Sequence, residues 1–155
     1  MRWLCFGILF ISVGLLAGES GYQNLGKNGV AVSGYDVVSY FGEGGPQKGS
    51  EDFASEYNGA KYYFKNRENK ERFDKEPQKY APQFGGWCAY AVADSKSKVE
   101  IDPKSFLIQD GRLLLFYNGF WGDTRKKWSS GKEMSKEDFL KTADKNWDVV
   151  KGKEP

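Results

Sequence analysis

The chain has 155 residues and 17.5 kDa, room for one domain and little more. Its 23 Lys and Arg against 21 Asp and Glu leave a net charge of +2 with both signs interspersed, which is no electrostatic footprint for nucleic acid or an anionic membrane. It contains no histidine, so Ser-His-Asp and Cys-His catalysis, imidazole metal ligands and histidine pH switching are excluded within one chain.

In chain order, Arg2 is followed by an apolar run from Leu4 to Ala17, about 14 residues, shorter than a membrane span and suited to the hydrophobic region of a signal peptide. Small residues follow at Gly18 and Ser20. The expected organisation is a signal peptide over 1–20, a linker over 21–28, a folded domain over 29–150 and a polar tail over 151–155. The mature product is then exported, periplasmic or secreted, with no stable membrane span after processing. Cys5 lies inside the leader, so Cys88 is the one thiol left and no intrachain disulfide forms.

Gly29 to Gly34 reads as a brief strand bounded by glycines, and Asp36 to Phe41 as a compact apolar segment ending at the Gly42–Pro46 breaker cluster. Asn58-Gly59 and Asp110-Gly111 each sit between alternating segments and predict two hairpins, 53–57 with 60–64 and 105–109 with 112–117. Asn66 suits the N-cap of an exposed helix ending before Pro77. Phe84 to Ala93 is the least charged stretch, expected to be buried, with a helix beginning near Gly86. Ser135 followed by Glu137 and Asp138 opens a C-terminal amphipathic helix, because Phe139, Leu140, Ala143, Trp147 and Val150 recur at helical spacing. No internal repeat is visible. Hairpins with segregated helices predict an α+β fold, a small single domain with a mainly antiparallel sheet packed by helices.

Gly34-Tyr35-Asp36-Val37-Val38-Ser39-Tyr40-Phe41, the Tyr57–Tyr80 segment and Phe84-Gly85-Gly86-Trp87-Cys88-Ala89-Tyr90-Ala91 together resemble an exported YHS-domain protein. Ile101-Asp102-Pro103 and Ala143-Asp144-Lys145-Asn146-Trp147 extend the resemblance over most of residues 24–150. It implies a small α+β domain and, by analogy with the modules attached to metal-transporting ATPases, association with copper and other soft metals through cysteines. The family's first cysteine corresponds to Ser39 here. Its C-x-x-x-C pair, which follows the Tyr-Tyr-Phe strand, corresponds to Lys65 and Asn69.

Function is therefore read as a non-catalytic exported binding protein for a small ligand, a metal ion or another exported protein, with a homodimer as one way to complete a metal shell. The candidate ligands to a copper-like ion are Cys88, Asp36, Asp102 and Met134. Cys88 reads first as a small buried hydrophobe, ahead of any metal or redox role. Tyr35, Trp87, Tyr90 and Trp121 are candidates to line a pocket for a ligand with a planar face. The alternatives are a redox or thiol-dependent enzyme using Cys88, and a protein-interaction module without metal. Lys126-Lys127 beside Trp128 reads as solvated surface, and Gly42–Gly45 lacks the setting of a phosphate loop.

Overall fold

The structure, a computed structural model, describes residues 20–155. The leader expected over 1–20, with Cys5, lies outside the described residues except for Ser20. No helix among the described residues is long and apolar enough to cross a membrane.

The fold is α+β. β1 (Tyr35–Asp36) pairs antiparallel with β2 (Gln47–Lys48), and β3 (Ser50–Tyr57) with β4 (Ala60–Phe64). α1 (Arg67–Lys75) and the single turn α2 (Pro77–Tyr80) follow, then α3 (Ala89–Asp94). β5 (Asp102–Gln109) pairs with β6 (Arg112–Phe116), and β7 (Asn118–Gly119) with β8 (Gly122–Asp123), both antiparallel. α4 (Thr124–Ser130) and α5 (Lys136–Val150) complete the chain. The strands thus form four two-stranded ladders.

The elements rest on local chemistry. The β3–β4 and β5–β6 hairpins close through Asn58-Gly59 and Asp110-Gly111, where all four residues have positive φ, the conformation that two-residue turns of this kind require. Asn66 Oδ1 accepts the Asn69 amide at 2.8 Å to start α1, and Ser135 Oγ accepts the Asp138 amide at 3.1 Å to start α5. α5 lays Phe139, Leu140 and Ala143 on α3 and is tied to β6 by a two-pronged Arg112–Asp144 pair at 2.6 and 2.9 Å.

Two expectations are corrected. Gly29–Gly34 is not a strand: it makes two tight turns, the second with Val32 and Ser33 in the left-handed region at φ +49° and +51°, rare for a β-branched residue such as Val32. α3 begins at Ala89 with Cys88 at its N-cap position, after a separate turn at Phe84–Gly86. The backbone also repeats, although no repeat is visible in the sequence.

Residues 31–65 and 83–117 are two copies of one backbone plan, in gap-free register 52 positions apart. Each opens with three consecutive left-handed residues, Val32-Ser33-Gly34 and Phe84-Gly85-Gly86. Ahead of that turn Ala31 donates its amide to Lys61 O, and Gln83 donates to Leu113 O, both at 2.9 Å. Asp36 pairs with Gln47 as Cys88 bonds to Val99. The two long hairpins have the same strand lengths and the same break in register, between Ser50 and Ala54 and between Asp102 and Phe106.

Two apolar clusters match the two units, and β6 is the wall between them. Its Leu113 and Leu115 enter the first cluster with Val37, Tyr62, Phe64 and Phe73; its Leu114 and Phe116 enter the second with Cys88, Val92, Trp128 and α5. Alternate side chains of one strand so serve both cores.

Candidate functional site

Asp36 is wholly buried at the end of β1. A carboxylate offers about four acceptor positions, and here four donors use them. Oδ1 accepts the amides of Val38 and Ser39 at 2.9 and 3.3 Å; Oδ2 accepts the Lys65 amide at 2.9 Å and Asn69 Nδ2 at 2.7 Å. The first pair closes an Asx turn that aims Ser39 across to β2, where its Oγ accepts the Gln47 amide at 2.9 Å and donates to Asp36 O at 2.6 Å. The second pair reaches the end of β4 and the first turn of α1. Ser39, Lys65 and Asn69, far apart in sequence, are thereby gathered around one carboxylate.

Above them opens a cavity of about 230 Å³, bounded by the Gly42–Gly45 loop on one side and the start of α1 on the other. Ser39, Gln47, Lys65, Asn66, Asn69 and Arg72 supply its polar lining, and no acidic side chain lines it. Lys65 and Arg72 are exposed, and neither makes an ion pair among the described residues.

The remaining candidate residues are placed elsewhere. Cys88 is wholly buried in the second cluster; its Sγ accepts the Tyr117 amide at 3.3 Å and lies 3.4 Å from Thr124 Oγ1. Thr124 donates its own proton to Tyr117 O at 3.0 Å, which leaves its oxygen to receive the thiol proton. Asp102 turns its carboxylate onto the Lys104 amide and Asn118 Nδ2. Met134 packs at the edge of the second cluster and accepts from Thr142 Oγ1 at 3.7 Å. Among the described residues no three His, Cys, Asp or Glu side chains group as a metal site.

The four aromatic candidates have four separate surroundings. Tyr35 lies under Lys48 Nζ, 4.3 Å from the ring centroid. Trp87 is buried and donates to Tyr22 O at 2.7 Å. Tyr90 is buried against Phe139 and donates to Glu133 Oε2 at 2.8 Å; burial, then that bond, pushes its phenol above the ordinary tyrosine range. Trp121 is 81% exposed. Gln47, Asn66 and Arg72 are the lining residues that sequence reasoning did not single out. The Asn66 cap was the one signal available, since it fixes the end of the cavity where α1 begins.

A buried polar hub beneath an open cavity, on an α+β scaffold of short hairpins, is the arrangement of a small binding module. Residues 38–84 match the family model of the YHS domain, a stretch that runs from the Asx turn through β4, α1 and α2 to the second unit. Over those residues the chain is similar to a YHS domain. No curated protein and no solved structure matches it.

Proposed function

We propose that the protein is an exported, non-catalytic binding protein whose YHS domain holds a small oxygen-rich anion, such as a carboxylate or phosphate, in the cavity above Asp36. The observation that carries this reading is the lining itself. The three positions where the family's cysteines are expected converge, as Ser39, Lys65 and Asn69, on one cavity, and they bring amide, hydroxyl and cationic donors with Arg72 beside them. Ammonium and guanidinium groups with neutral donors suit carboxylate and phosphate oxygens. They do not fit a soft cation, which prefers several sulfur or imidazole donors.

Export is supported by Arg2, the apolar run to Ala17 and the small residues after it. The mass of the product recovered from outside the cytoplasm tests it: a chain beginning at Gly21 or Glu19 agrees, and an unprocessed chain does not.

Inorganic phosphate and acetate titrated into the isotope-labelled protein test the ligand class. Saturable amide shifts at Gly42–Gln47 and Lys65, absent in Lys65→Ala/Arg72→Ala, are expected. No shift with either anion removes the reading. Anaerobic Cu(I) titration of the same protein and of Cys88→Ser decides the soft-metal alternative: one ion bound and lost in Cys88→Ser restores it.

A further inference from the structure

Between the long hairpin and the helix that follows it, the two units differ by an insertion. In the first, Lys65 follows β4 and Asn66 at once caps α1; in the second, Tyr117 occupies the place of Lys65, but the cap of α4 is Asp123. The five residues between, Asn118–Gly122, build nearly all of the small β7–β8 hairpin. At its tip Phe120 and Trp121 are 89% and 81% exposed, their rings edge to face at 4.9 Å.

This turn breaks the chemistry the chain obeys elsewhere. The other two hairpins turn on Asn-Gly and Asp-Gly with left-handed φ, whereas here the two central residues are large aromatics and the left-handed residue is Gly122, at +96°. Nothing in the fold asks for aromatic side chains there. The platform beneath is nevertheless braced. Asn118 Nδ2 donates to Asp102 Oδ2 at 3.0 Å, Asp123 Oδ1 accepts Ser105 Oγ at 2.8 Å, and the Trp121 amide donates to Tyr117 Oη at 3.3 Å. Gly119 lets that phenol close in, since a Cβ there would sit 2.6 Å from Tyr117 Oη.

We propose that the Phe120–Trp121 tip is an interfacial anchor that inserts into the headgroup region of an anionic lipid bilayer. Two aromatic side chains on a convex tip offer roughly 300–500 Å², below the ~800 Å² per partner of a standard protein interface. A bilayer surface takes such a wedge without a matching concavity, and Trp suits the headgroup level. Among the charges around the hairpin, Asp123 is paired with Arg125 at 3.3 Å, while Asp102 keeps its negative charge because its two donors are neutral. Lys104 and Lys126 are exposed and make no ion pair among the described residues, so two lysines stand against one aspartate and the flanks carry a small local positive excess that the overall charge of the chain does not show. The anchor is independent of what the Asp36 cavity binds.

Residues 21–155 hold α1–α5, β1–β8 and both apolar clusters of the described residues; protein of that length avoids the apolar run before it, which would partition into lipid by itself. Its flotation with phosphatidylglycerol–phosphatidylcholine vesicles is compared with Phe120→Ser/Trp121→Ser and with Lys104→Glu/Lys126→Glu. The aromatic pair is expected to account for about tenfold or more in partitioning, and the charge reversal and 0.5 M salt to weaken it on anionic vesicles only. Brominated lipids should quench tryptophan emission in the parent and lose that component in Trp121→Phe, which keeps the wedge. Equal flotation of parent and serine variant, or a Trp121 that lipid bromine never quenches, overturns the proposal. So does self-association without vesicles that the serine variant abolishes, since the tip would then join two copies of the chain.

Discussion

Asp36 and Cys88 stand at equivalent places in the two units, and each accepts the amide of the residue just after its second long strand, Lys65 or Tyr117. Beyond that shared bond the surroundings are opposite. Around Asp36 three more donors converge and the cavity lies open; around Cys88 the matching residues Tyr90, Ala91 and Ala93 pack with Phe139, Leu140 and Ala143 of α5. One backbone device thus holds a polar hub where the face is open and an apolar plug where a helix covers it. The C-terminal helix, present once, turns the second unit into support for the first.

Exchanging the two residues is the severest way to break this comparison. Cys88→Asp buries a carboxylate where only the Tyr117 amide and the Thr124 hydroxyl are at hand, and should cost about 4–5 kcal/mol or prevent folding. Asp36→Cys leaves most of four donors without an acceptor and should cost about 3 kcal/mol. Urea unfolding measures both. Equal, small losses at the two sites would show that neither environment is specific. Milder is Cys88→Ala, which removes one buried sulfur and orphans the Tyr117 amide, for about 1–3 kcal/mol.

Alkali sharpens the contrast further. Tyr40 and Tyr62 of the first unit occupy the places of Val92 and Leu114 in the second, and burial pushes both phenols well above the ordinary tyrosine range. Because the folded value is raised, their contribution is intact below the unfolded value of about 10 and is lost as pH rises beyond it, by up to about 1.4 kcal/mol per unit for each phenol. Tyr62→Phe should therefore flatten the alkaline fall in stability by one phenol's share. An unchanged slope between pH 10.5 and 11.5 would mean that Tyr62 ionises freely in the folded protein.

What could be read in the sequence follows from how local each cause is. Asn58-Gly59, Asp110-Gly111 and the Ser135 cap announce their elements within a few residues, and those elements form as expected. Asp36 stood out in the sequence as a candidate ligand and not as a hub, because two of the bonds that make it one come from Lys65 and Asn69, brought in by the hairpin and α1. The Val30–Val32 stretch has strand composition, yet the Ala31 amide is committed to Lys61 and Val32 turns left-handed into Gly34. The repeat was hidden because only Gly34/Gly86, Gly59/Gly111 and Phe64/Phe116 are identical in register. Two of these three serve backbone geometry, and the third fills a core. Beside the aromatic tip, Asn118-Gly119 and Gly122-Asp123 carry turn chemistry, but they pair as β7 and β8 and the centre of the turn falls on Phe120-Trp121.

The smallest expected effect on stability falls on the residues expected to matter most for binding. Lys65 and Arg72 are exposed and make no ion pair among the described residues, so Lys65→Ala/Arg72→Ala removes two like charges from one cavity rim at a cost within about 0.5 kcal/mol, in either direction. The same exchange should abolish the phosphate or acetate response. Lys65 anchors the site only through its amide, which Asp36 holds and which any side chain leaves in place. A variant as stable as the parent but silent to anions would separate the cavity's two layers, a carboxylate hub that builds it and a cationic rim that uses it. A loss above 1 kcal/mol would show instead that the rim holds the hub together, and that the open face of the first unit is structural like the covered face of the second.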